Sequence, residues 1–150
     1  MKDQPVEIQE TDFREMKDCV HDQGPQEALQ KLAARLQDQG RYHEYFEARL
    51  MQCRFGAGLP LGATFQMEEV PEEVRDQLEQ SYLQICTETG RLFLGTDNLR
   101  EAWMYLRTVD DREPMRQALH AMEVNEQNID SVLEIAIYEG VDLAFGFKHL

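Results

Sequence analysis

Four histidines, three cysteines and 29 acidic side chains are the groups of this 150-residue chain that can do acid–base, nucleophilic or metal chemistry, and their spacing decides whether they act together. His43 and Glu47 fall one helical turn apart, with Glu44 beside them. Two such sets on facing helices hold iron or zinc in helical bundles. No second set with this spacing occurs, so the pattern reads as a solvated helix face. Cys19 and His21 form a Cys-x-His pair. Structural zinc takes four ligands in close pairs, and here Cys53 and Cys86 are isolated while His120 and His149 lack neighbouring ligands. A cysteine with a histidine also makes a nucleophile and base, but no local signature supports one. The run Gly56-Ala57-Gly58-Leu59-Pro60-Leu61-Gly62 follows a helical pattern rather than a strand. It also lacks the Lys-Ser/Thr that a nucleotide loop needs. The expectation is a chain with no catalytic residues, no cofactor and no metal, whose cysteines behave as small apolar side chains.

Composition sets limits on partners. The formal net charge is −14, from 15 basic and 29 acidic residues. A field of that sign repels phosphate backbones and anionic membrane surfaces, so neither nucleic acid nor membrane is expected as a partner. The charge is uneven: residues 25–55 carry five bases and four acids, whereas residues 111–150 carry eight acids and three bases. Three widely spaced cysteines are not a disulfide framework. The amino-terminal residues have no apolar signal core, and no apolar run approaches the roughly 20 residues that span a bilayer. A cytoplasmic location is the expectation.

The elements that must position these groups are helices. Residues 1–10 are polar and aperiodic and read as a tail; 11–150 read as one helical domain with a long loop at 56–70. Asp12 and Glu15 resemble a capping box ahead of Phe13, Met16 and Val20. Ala28, Leu29, Leu32, Ala33 and Leu36 then form one apolar stripe that Gly40 stops. A partner helix starts at Arg41, with Tyr42, Tyr45, Phe46, Leu50 and Cys53 on its inner side. So short a turn makes the pair an antiparallel hairpin. Pro71, Glu72 and Glu73 open a long helix carrying Val74, Leu78, Ile85, Cys86 and Phe93, with a bend allowed near Gly90. Helices follow over about 99–108, around Met115 to Met122, and around Ile129 to Ile137, the last capped by Asn128 or Asp130 and closed by Gly140. Residues 141–150 are rich in Leu143, Phe145 and Phe147. They are expected to form an apolar patch with Ile137, covered by a second copy or by a further helix.

Two segments resemble tetratricopeptide repeats. In one, Gly90 and Phe93 are followed by Ala102, Leu106, Val109 and Pro114, the family's order of small, aromatic, small, large, medium and closing proline. Gly90 and Ala102 are then the closest-contact positions of a hairpin, Phe93 and Leu106 fill its seam, and Pro114 opens the next helix. The other segment, Leu29, Leu32, Ala33, Leu36, Gly40, Tyr42 and Tyr45, keeps the first helix. It places Tyr45 where a small residue is usual and has no closing proline. The family's Trp and Leu fall on Cys86 and Thr89, and about 23 extra residues separate the units. Together the segments cover about half of the chain. The fold expected is all-α: antiparallel hairpins stacked as a short tetratricopeptide-like array, with an irregular helical bundle as the alternative.

The resemblance implies a groove lined by the first helix of each hairpin, receiving a peptide or partner helix. By register its positions are Glu27, Gln30, Ala34 and Gln37, then Gln84, Thr87, Arg91 and Leu94. The Lys and Asn residues with which some members clamp a carboxylate are absent. Arg91 stands out because Arg pairs bidentately with carboxylates and stacks on aromatics. Trp103 reads as core beside Ala102, with Tyr105 and Arg107 pointing outward toward a partner. The function expected is a non-catalytic protein-binding scaffold. The competing classes are a metal-dependent or thiol enzyme whose site forms only in three dimensions, and a structural oligomerisation module.

Overall fold

The computed structural model describes residues 24–59 and 70–150. The expected tail, the Phe13–Val20 helix, the Cys19-x-His21 pair and most of the 56–70 loop lie outside the described residues. Among those described the protein is all-α, with no strand. It divides into two compact units, Met1–Val74 and Arg75–Leu150.

In the first unit, α1 (Pro25–Asp38) and α2 (Tyr42–Gly56) form an antiparallel hairpin. Pro25 occupies the first turn of α1, where its missing N–H costs nothing. Ala28, Leu29, Ala33 and Leu36 are buried, so the 3.6-residue stripe is the packed face. Gly40 ends the helix at φ 72°: its N–H donates to Gln37 O, and the Arg41 N–H donates to Leu36 O at 2.9 Å. A glycine takes that left-handed conformation without penalty. The inner face of α2 is rotated from the sequence expectation. Tyr45, Ala48 and Gln52 are buried, whereas Tyr42, Phe46, Leu50 and Cys53 are half-buried. Small Ala48 lets the helices close up, and Gln52 is accommodated because Arg49 donates to its Oε1 at 3.0 Å.

The second unit holds nearly all of α3 (Glu72–Leu94), then α4 (Leu99–Leu106), α5 (Glu113–Ala121), α6 (Ile129–Leu133) and α7 (Leu143–Lys148). Helix α3 runs unbroken through Gly90, where a bend had been allowed. Buried Thr89 satisfies its hydroxyl on Ile85 O at 2.8 Å. Cys86 is buried beside Tyr82, and burial raises both the thiol and the phenol above their ordinary values. Pro114 lies in the first turn of α5, as its fixed φ favours. Asn128 precedes α6 but does not cap it forward. Its Oδ1 accepts from the Asn125 N–H at 2.8 Å, tying the α5–α6 loop instead. Helix α6 widens directly into a π-helical segment, Glu134–Tyr138, which Gly140 closes at φ 70°.

Candidate functional site

Two sets of side chains are candidates, and the first comprises the helix positions that the repeat resemblance picks out in each unit. On α1, Glu27, Gln30, Ala34 and Gln37 are all exposed along one side, opposite the buried stripe. On α3, Gln84 and Arg91 are exposed, and Thr87 and Leu94 are half-buried. Gln84 donates to Glu88 at 3.2 Å, and the Thr87 hydroxyl donates to Leu83 O at 3.0 Å. Behind Arg91 the hairpin of the second unit is very tight. A Cβ added to Gly90 would sit 2.5 Å from Leu106 Cγ and 3.3 Å from Ala102 O, so no larger residue fits without movement. Ala102 and Leu106 are themselves buried.

Tyr105 departs from its expectation. It is buried, and its ring stacks on Phe93 with centroids 5.8 Å apart and planes 12° from parallel. The helix places Tyr105 within reach of the α3 seam, where an aromatic pair gains more than solvent exposure offers. Arg107 is exposed as expected, and Trp103 is core. His43, Glu44 and Glu47 lie on an exposed face of α2.

The second set was not legible as a group. It forms where α5 meets the start of α7. Asp142 is the N-cap of α7, its Oδ1 accepting from the Phe145 N–H at 3.1 Å. Its Oδ2 meets His120 Nε2 at 2.8 Å and Arg116 Nε at 3.8 Å. The carboxyl is held below its ordinary value, first by the His120 hydrogen bond and then by the Phe145 N–H. An ionised carboxylate only accepts, so the shared hydrogen sits on His120 Nε2. Arg112, just ahead of α5, donates to Gly140 O at 2.9 Å, and Arg116 on α5 donates to Val141 O at 3.5 Å, both acceptors lying just ahead of α7. Phe145 lies between two imidazoles, with its centroid 4.7 Å from His120 and 4.5 Å from His149. His149 Nδ1 donates to Phe145 O at 3.0 Å, which leaves Nε2 as its free nitrogen. An open cleft of about 540 Å³ results, with His120, Met122, Phe145, Lys148 and His149 in its walls.

Helix α7 seats against the π segment through Gly146, where an added Cβ would collide with Ile137 Cγ1 and lie 3.1 Å from Ala136 Cβ. This corrects the terminal-patch expectation. Phe145 turns inward and is buried, while Phe147 is 61% exposed, so the two do not share a patch. Among the described residues no group of three or more His, Cys, Asp or Glu side chains has the geometry to hold a metal ion, and no helix is long and apolar enough to cross a membrane.

These features define an all-α protein of antiparallel hairpins with a polar helix face and a histidine-lined cleft. No protein-family model matches the chain, and no curated protein or solved structure matches it either.

Proposed function

We propose that the chain is a non-catalytic, cytoplasmic protein-binding scaffold of tetratricopeptide-like hairpins, whose first helices present a face to a peptide or partner helix. The observation that supports this reading is the absence of room for a side chain at Gly90, against Ala102 and Leu106. Those are the three positions at which the resemblance calls for the closest helix approach and the large seam residue. The same register turns Gln84 and Arg91 outward in the second unit, and Gln30 and Gln37 in the first. Arg91 is the energetic centre of the α3 face, since binding energy concentrates in few residues and arginine is favoured among them. Tyr105 drops out as a direct contact because it supports the seam from within; Arg107 serves as the control for a site outside the face. The test is capture of partners from the source cell with the wild type, Arg91→Glu and Arg107→Glu. Loss in Arg91→Glu alone supports the reading, and loss only in Arg107→Glu contradicts it.

A second surface favours self-association. Of the seven large apolar side chains exposed among the described residues, four lie at the end of the chain: Tyr138, Leu143, Phe147 and Leu150. Leu143 and Phe147 stand at i and i+4 on α7, and Leu150 follows just past its end. Apolar stripes of this kind mark contacts. Sedimentation equilibrium of the wild type against Phe147→Glu checks it: a concentration-dependent dimer abolished by the charge supports the reading, and a monomer at all concentrations removes it.

A further inference from the structure

The π segment Glu134–Tyr138 has no local cause. Its sequence, Glu-Ile-Ala-Ile-Tyr, holds neither proline nor glycine, and the apolar spacing from Ile129 to Ile137 is that of an ordinary α-helix. Yet the Glu139 N–H donates to Glu134 O at 3.0 Å, five residues back. Widened turns of this kind are rare and recur at functional sites. The contacts that hold this one come from α7 and the turn ahead of it. The Val141 N–H donates to Ile135 O at 3.3 Å and the Asp142 N–H to Ala136 O at 3.2 Å, so the turn ties back onto the segment. Gly146 is seated where an added Cβ would collide with Ile137 Cγ1 and lie 3.0 Å from its Cδ1. Phe145, beside it in the chain, is buried. Asp142 caps α7 and meets His120 of α5, which fixes the start of the helix. At the far end of the segment, Glu134 pairs with Arg100 of α4 at 2.9 Å.

We infer that α7 is a latch that holds Glu134–Tyr138 in the π register, and that releasing α7 returns the segment to ordinary α pairing. An α-helix pairs each N–H with the carbonyl four residues back, so the Glu139 N–H would move from Glu134 O to Ile135 O. A slip of one residue turns whatever follows it by about 100°. Ala136 and Ile137 would then leave the positions that receive Gly146, so the seat for α7 exists in only one of the two registers. Docking of α7 and the π register are thus two sides of one two-state element. Tyr138, 86% exposed, carries the change to the surface. A partner that grips the exposed side chains Leu143 and Phe147 and draws α7 off its seat would therefore alter the surface around Tyr138. The inference stands on contacts within the second unit and depends neither on the α3 face nor on self-association.

The test follows the acceptor of the Glu139 N–H in the full chain through hydrogen-bond scalar couplings measured by NMR, with amide exchange in α7 as the measure of docking. Two variants release α7 by different routes: Gly146→Val fills the seat, and Phe145→Ala removes the buried ring. The wild type should couple Glu139 to Glu134. Each variant should speed amide exchange in α7 by about tenfold or more and couple Glu139 to Ile135 instead. The ring resonances of Phe93 and Tyr105, stacked in the α3–α4 seam, should stay in place, which separates release of the latch from loss of the fold. The inference is overturned if the wild type already couples Glu139 to Ile135, or if α7 is released and Glu139 does not move to Ile135. It also fails if neither variant changes exchange in α7, or if both unfold the whole second unit, since no released state would then exist.

Discussion

In the hairpin of the first unit, the helices meet through side chains that keep a trace of exposure: Leu29 5%, Leu36 6% and Tyr45 8%. In the second unit, Met115, Leu119 and Val132 are at 0%, and Leu106 and Ile135 at 1%. The difference follows from how many elements converge. Among the described residues the first unit pairs two helices, α1 and α2, whereas in the second unit α4 packs against α5, α6 and the π segment. Close approaches at Gly90 and Gly146 draw the helices nearer still. The apolar pattern of the two units looks alike in sequence; the depth of their cores does not. The second unit therefore has the deeper core, and Arg91, His120 and Asp142 all lie in it.

The largest effect that would break this comparison is a cavity. Leu119→Ala should cost about 3–5 kcal/mol, while Leu36→Ala in the shallower hairpin should fall nearer to 2 kcal/mol because its surroundings can relax. Urea denaturation measures both, and equal losses would show that the two cores are alike. Overpacking comes next. Ala102→Phe, at 0% exposure, should cost about 1–3 kcal/mol or more, whereas Ala34→Phe on the exposed face of α1 should stay within about 0.5 kcal/mol. An unchanged melting temperature for Ala102→Phe would mean that the hairpin register is wrong.

A pH profile probes the α5–α7 junction. A carboxyl whose folded value is depressed stabilises the fold above its unfolded value, here about 3.8, and loses that contribution as pH falls through the folded value. The difference in melting temperature between the wild type and Asp142→Asn should thus be full near neutral pH and shrink progressively below about pH 4. A constant difference down to strong acid would assign Asp142 a role through shape rather than charge. The smallest effect is at Asp97, in the turn after α3 at φ 59°, a left-handed conformation that costs a non-glycine residue about 1 kcal/mol. Asp97→Gly should raise stability by a few tenths of a kcal/mol, the strain relief being partly offset by the entropy of the freer unfolded glycine.

Much of the fold was legible because it is written in local terms. The α1 stripe and the Gly40 stop follow from periodicity and backbone preference at neighbouring positions, while the Gly90–Ala102 contact and Pro114 at the start of α5 were expected from the repeat resemblance. What escaped was whatever depends on tertiary placement. Tyr105 carries no local mark that it will stack on Phe93. The rotation of α2 turns on Ala48 being small enough for close approach. The π segment leaves no mark in composition. His120 and Asp142 are 22 residues apart. Asp142 is of a type that caps helices, but a cap speaks of a helix start rather than of a partner for a histidine.

The most direct test of the scaffold reading is site-specific photocrosslinking in the source cell, with the photoreactive residue placed at Gln84, at Arg91 or at Met104. All three positions are exposed, the first two on the proposed face of α3 and the third on α4. The account predicts the same partner adduct from Gln84 and Arg91 and none from Met104. Adducts from Met104 alone, with the α3 positions silent, would contradict it.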